Sequence, residues 1–300
     1  MHRYALEHRV SHADVDLLGE IKISALLGLL EQAAVEASTD GGFDSAYYTA
    51  QGRVWIIRRT RLERSLPVGG EDRLEIATHV LDWRRARSLR SYEIRRGRSA
   101  AEPARDTRGT DEAAPLVAQA TTDWVYCDVA SGRPMTVPED MRRVFSGDDV
   151  VTLPRARALP EAAPGEPVTM ALVVRPSLLD HVTHVNNAAY AAMLEDGAFA
   201  LFATHGLTVA RMLDLGGALR MRGIDLEYLD DAIADDRLVV RSWLVADDGT
   251  AAATLAADVA PGAARLLQTI TREDGRRIMR AASRWVWRRR PAVLGGVPEA

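Results

Sequence analysis

A gapless internal repeat limits how this chain can fold more than any other feature of its sequence. Asp16-Leu17-Leu18-Gly19-Glu20 returns 164 residues later as Asp180-His181-Val182-Thr183-His184. At the same offset Leu30-Glu31 falls on Leu194-Glu195, Leu62-Glu63 on Leu226-Glu227, and Asp72-Arg73-Leu74 on Asp236-Arg237-Leu238. A register kept over roughly sixty residues marks two copies of one unit, fused in one chain. The 300 residues then divide into a first module at 1–137, a proline-bearing connection at 138–167, a second module at 168–290 and a tail at 291–300.

Each copy reads in the same order. A short extended segment (4–12 or 168–174) precedes a helix (24–37 or 187–205). Leu26, Leu27, Leu30, Ala33, Ala34 and Ala37 give the first helix an apolar face, as Tyr190, Met193, Leu194, Gly197, Ala198 and Leu201 do for the second. Asn187 is a candidate N-cap of the second helix and Gly206 its stop. Strands follow at 54–63, 73–83, 87–96 and 116–128, then at 218–228, 237–246, 251–259, 265–272 and 277–288. The closing strands also match, Ala120 to Val125 against Ala281 to Val286. Residues 97–114 read as an inserted loop. One long helix followed by an antiparallel meander makes each copy an α+β module.

The densest chemistry lies just before the second helix, where Asp180, His181, His184, Asn186 and Asn187 fall within eight residues. A carboxylate and an imidazole at a helix start sit beside free N–H groups that favour developing negative charge. The run His184-Val185-Asn186-Asn187, with Tyr190 and Leu194-Glu195 after it and Asp180 four residues before the His, resembles the motif of hotdog-fold thioesterases. The types it resembles are the 4-hydroxybenzoyl-CoA and acyl-acyl-carrier-protein (acyl-ACP) thioesterases. The tandem order, and the segment Trp124 to Pro138, are similar to the acyl-ACP thioesterases over nearly the whole chain. The resemblance implies two tandem hotdog modules forming an intrachain pseudo-dimer. It also implies a C-terminal copy that carries catalysis and an N-terminal copy that helps shape an acyl pocket. Enoyl hydratases of this fold place the His five residues after the Asp, which here is Val185.

The candidate catalytic residues are Asp180, His184, Asn186, Asn187, Asp231 and Glu195. Asp180 would activate water or attack the thioester carbonyl, His184 would assist, and the helix start would bind the carbonyl oxygen. The plain alternative is that Asp180 and Asn187 only cap the helix. The family carries Asp-x-Asn-x-His-Val-Asn-Asn, and Val182 stands at the middle Asn. Its acidic position on the following strand is Asp231, which otherwise reads as a solvated turn acid. Its cysteine position is Ala232, so a cysteine nucleophile is excluded there. Glu195 is either a helix-borne catalytic acid or, paired with Glu31, a bond across the pseudo-twofold interface. In the first copy Glu20, Lys22 and Ile23 replace His184, Asn186 and Asn187, which reads as a degenerate site.

Substrate-binding candidates are Trp55, Ile57, Leu30 and Tyr190 for the acyl slot, and Arg84 and Arg85 for the carrier. Residues 53–98 hold 13 arginines against 6 acidic residues in a chain of net charge −4, so this stretch either steers an acidic carrier or is a solvated strand face. The net charge argues against general nucleic-acid binding. Cys127 is the sole cysteine, which rules out an intrachain disulfide or a cysteine-based zinc site. No metal-spaced histidine cluster or phosphate loop appears, so no metal or cofactor is expected. The first residues lack the apolar run of a signal peptide, and no stretch is apolar enough to span a bilayer, so a cytoplasmic protein is expected. The expected partner is the acyl carrier protein or CoA thioester itself, with a homo-oligomer left open. The expected function is thioester hydrolysis. The rival functions are a tandem-hotdog dehydratase or hydratase, and a non-catalytic acyl-thioester binder.

Overall fold

The computed structural model describes residues 2–97, 114–146, 156–246, 255 and 262–290. Among the described residues ten strands form one antiparallel sheet. They are β1 (Tyr4–Arg9), β2 (Arg53–Arg64), β3 (Arg73–Arg84), β4 (Arg87–Arg96), β5 (Leu116–Asp128), β6 (Val168–Val173), β7 (Gly217–Tyr228), β8 (Arg237–Val245), β9 (Ala263–Arg272) and β10 (Arg277–Arg289). Their spatial order is β1-β3-β4-β5-β2-β7-β10-β9-β8-β6, so each repeat contributes five neighbouring strands. Two long helices, α1 (Ile23–Asp40) and α4 (Asn187–Thr204), pack on the sheet and on each other. The short helices are α2 (Ser45–Gln51), α3 (Glu139–Phe145) and α5 (Val209–Asp214). Among the described residues no helix is long and apolar enough to cross a membrane.

The fold keeps the repeat at its sequence offset of 164. β1, α1, α2 and β2 begin 164 residues before β6, α4, α5 and β7. The two halves join where β2 pairs with β7, and in that ladder Arg61 faces Asp225, its own counterpart. The pseudo-twofold axis therefore passes through this pair. Joining the halves here removes the open edge that each five-stranded sheet would otherwise present. Arg59 grips the Asp225 carboxylate with two bonds of 2.7 Å, and Arg61 adds a third at 2.9 Å.

Alternation places the apolar residues. In β4 Ser88, Arg90, Tyr92 and Ile94 point to the helices, while Arg87, Leu89 and Ser91 point away. Leu26, Leu30, Ala33 and Ala37 bury one side of α1. In α4 the close approach to β8 requires Gly197, because a Cβ there would meet Val240 Cγ1 at 2.7 Å.

Some expectations shift. Asn186, not Asn187, is the N-cap of α4, and its side chain accepts the Ala188 N–H at 2.8 Å. Asn187 is the first helical residue. Gly206 follows the helix with φ +78°, the left-handed conformation expected of a stop. Residues 139–145, within the stretch read as connection, form α3 and bury Met141 and Phe145. The loop read at 97–114 and the strand read at 251–259 lie outside the described residues except for Gly97, Ala114 and Leu255.

Candidate functional site

The Asp180 turn is built by its own side chain. Asp180 Oδ1 accepts the N–H groups of Val182 at 2.9 Å and His184 at 3.3 Å, and its N–H donates to the His184 carbonyl at 2.8 Å. The Asp16 turn repeats these bonds with Leu18 and Glu20 at 2.7 and 3.4 Å. The turn in each repeat feeds directly into its long helix.

Because the helices pack across the pseudo-twofold axis, each turn meets the carboxylate of the other repeat. Glu31, on α1 of the first repeat, lies close to the Asn187 side chain, Asp180 and His181. Burial pushes its carboxyl above the ordinary value, against the effect of the Asn187 side chain, and the Asp180 charge pushes the same way as burial. Glu195 is not brought to Asp180. It faces Arg220 at 3.9 Å in the first repeat's turn, where burial raises its carboxyl and Arg220 opposes the rise.

The two sites differ in what fills them. Around Asp16, Arg220 is 3% exposed and forms an ion pair with Asp16, with Glu20 at 3.9 Å. Arg64 adds a pair to Glu20 at 3.8 Å, and burial, with Arg220 beside it, brings its guanidinium down to about 10. The positions equivalent to Arg220 and Arg64 around Asp180 are Ile56 and Tyr228. Tyr228 donates to the Asn187 carbonyl at 3.3 Å. Among the described residues no arginine plugs this second site.

Beside it opens a cavity of about 510 Å³, in the first repeat between α1 and the inner face of β2 to β5. Glu31, His181 and Val182 line it at one end. Val35, Ser38 and Thr39 continue it along α1, and Tyr48, Trp55 and Trp83 form much of its aromatic wall. From Glu31 to Thr39 the helix advances about 12 Å. This size and lining suit a small-molecule pocket.

His184 Nε2 lies 3.0 Å from Asp231 Oδ2, and both side chains are 46% exposed, so the dyad sits at the surface. Asp231 is thus the partner of His184. Asn186 caps the helix, and Asn187 reaches Glu31. Tyr190 lies beneath the site, its hydroxyl accepting the Ala232 N–H at 3.1 Å. Trp55 lines the cavity, but Ile57 and Leu30 are packed in the main core and do not. Arg84 and Arg85 also lie off the cavity. Arg84 is 3.3 Å from Asp82 on the outer face of the sheet. Arg85 donates to Thr136 Oγ1 at 3.3 Å beside the β3–β4 turn.

Sequence reasoning did not single out Glu31 as a member of this site, nor Arg90, which lines the cavity from β4, or Arg220. The signal for Glu31 was the repeat itself: if the copies pair about a twofold, a helix carboxylate belongs to the opposite copy's turn. The signal for Arg90 was a charged residue in the inward register of β4.

The model for the thioesterase-like superfamily matches residues 10–145 and 174–290. The fold is shared with solved structures across nearly the whole chain. A protein named as an oleoyl thioesterase from Lactobacillus plantarum superposes with a TM-score of 0.73 at 17% identity, covering 95% of this chain and 96% of that one. An acyl-ACP thioesterase from Bacteroides thetaiotaomicron gives 0.68 at 14% identity, over 95% and 98%. A 12:0-ACP thioesterase from Umbellularia californica gives 0.64 at 14% identity, over 96% and 98%. No curated protein sequence matches the chain. Two hotdog modules in tandem, matched by one family model in both halves, make this chain a member of the thioesterase-like superfamily.

Proposed function

We propose that the chain hydrolyses acyl thioesters, releasing the acyl group from an acyl carrier protein or coenzyme A. The observation that carries this reading is the aromatic-walled cavity of about 510 Å³ that opens at the Glu31 carboxylate, beside the Asp180 turn and the start of α4. A thioester seated with its acyl chain in the cavity brings its carbonyl to that mouth.

Glu31 then takes a proton from water as the water oxygen attacks the carbonyl carbon. The Asn187 N–H, the first of α4, receives the developing oxyanion with the help of the helix dipole. The tetrahedral intermediate collapses, the C–S bond breaks, and the free acid and a thiolate result. His184, held by Asp231, gives the thiolate its proton. Asp180 is the leading base by sequence. Its turn bonds are reproduced at Asp16, which is buried against Arg220, so these bonds serve the turn in both repeats. Its remaining contribution is the negative charge beside Glu31, which keeps that carboxyl basic.

The carrier stays outside. Arg59, Arg61, Arg84 and Arg87 ring a groove of about 530 Å³ on the outer face of the sheet, together with Asp82, Asp123 and Glu227. Pairing with Asp225, Asp123 and Asp82 offsets much of this positive charge.

Free thiol measured against a panel of acyl-CoA and acyl-ACP substrates tests the reading. Thiol release with equimolar free acid is expected. His184→Ala should lower kcat about 100-fold, the low end for a lost proton donor, and Asp231→Asn should lower it less. Double-bond change without thiol release would instead make the protein a hydratase. Binding without turnover would make it a carrier of acyl thioesters.

A further inference from the structure

The proposed chemistry leaves one buried charge without a task. Arg90, on the inner face of β4, lines the acyl cavity and is 7% exposed. Its contacts are Thr78 Oγ1 at 3.4 Å and the face of the Phe145 ring at 5.7 Å. Among the described residues no carboxylate pairs with it. A guanidinium keeps its charge in proteins, and a buried charge without a counterion is destabilising. Burial lowers its pKa, as expected for a cation held in an apolar wall.

Its place in the cavity is defined. Phe145 packs against Gly41, the residue that ends α1. The Arg90 guanidinium over Phe145 therefore lies at the end remote from Glu31, which sits further back on the same helix.

The second repeat carries a different residue at the same position. Arg90 pairs with Val80 and Thr122, and Leu266 pairs with Leu244 and Ser283, the counterparts of those residues. Leu266 is buried in the core. Val35 and Ser38 correspond to Phe199 and Phe202, whose rings pack on Trp285 and fill the equivalent space. The repeat that is open thus carries an arginine where the closed repeat carries a leucine.

We propose that Arg90 recognises a carboxylate at the far end of the acyl chain, so that the cavity selects ω-carboxyacyl groups over chains ending in methyl. A carboxylate there supplies the missing counterion through charge-assisted hydrogen bonds, which a methyl group cannot. The thioester part of this substrate rests on the hydrolase reading. The occupant of the cavity does not.

Two measurements test it separately. In the first, α,ω-diacids and monoacids of equal carbon number, each with one carboxyl masked as its methyl ester so that only the diacid keeps a free carboxylate, are titrated over a range of lengths against the quenching of tryptophan fluorescence. Wild type should bind the best diacid about 10- to 100-fold more tightly than its monoacid, the range for a hydrogen bond to a charged group. Arg90→Leu, which installs the residue of the closed repeat, should erase that difference, and Arg90→Lys should keep part of it. In the second, kcat/KM is compared for ω-carboxyacyl-CoA and acyl-CoA of equal length, with the same preference expected. Monoacids binding as well as or better than diacids to wild type at every length would overturn the proposal, whether or not the variants fold. If no thioester is cleaved, the hydrolase reading falls, while the diacid titration still decides the role of Arg90.

Discussion

Thr183 adopts φ +66°, a left-handed conformation that a β-branched residue rarely takes. Its counterpart in the plugged repeat is Gly19, at φ +77° with open space around its Cβ position. Holding a non-glycine residue there costs on the order of 1 kcal/mol. Thr183→Gly should therefore raise unfolding stability by about 1 kcal/mol in chemical denaturation while leaving the Asp180 turn intact. At this scale the sequence was legible for residues that act through local geometry. The Asp180 turn, the helix start and the stop at Gly206 are set by neighbours a few positions away. Ile57 and Leu30 pack in the main core rather than along the cavity: alternation tells inside from outside, but does not tell a packed interior from an open one.

The elements show how two similar halves come to differ. Arg58 and Arg222 occupy equivalent bulges in β2 and β7. Each reaches across the junction, to the Leu229 carbonyl at 3.3 Å and the Ser65 carbonyl at 2.9 Å. These latches obey the offset of 164 and hold the strand ends, including the loop that carries Asp231. The site contacts break that symmetry. Arg220 gathers Asp16, Glu20 and Glu195 into a buried network, and Ile56 stands in its place near Asp180. Arg220→Met would leave three carboxylates crowded without that cation. It should cost about 3–5 kcal/mol, read as a lower denaturation midpoint with an unchanged denaturant slope. Strands β2 to β5 were legible to within a residue or so because apolar and polar residues alternate along them, whereas β1 ends at Arg9, short of the 4–12 segment read for it. Helix α3 was not, since its stretch is short and proline-flanked, and its two buried residues, Met141 and Phe145, pack on distant Phe43 and Tyr126.

Across the whole molecule, one chain does what a symmetric dimer would do and then abandons the symmetry. The twofold through Arg61 and Asp225 was legible in the repeat. The exchange of helix carboxylates between the halves follows from that twofold, but it needs the packing of α1 on α4 to be seen. Glu31 and Glu195 are related by the offset and share an origin, yet one faces an open cavity and the other an arginine plug. This difference decides which carboxylate works. The direct measurement is thiol release by Glu31→Gln and Glu195→Gln, compared with wild type as kcat on folded protein. Glu31→Gln should lose about 10²- to 10⁴-fold, the range for a lost general base, with KM little changed, and Glu195→Gln should stay within about tenfold of wild type. Near-full activity in Glu31→Gln, or a collapse confined to Glu195→Gln, would contradict the account.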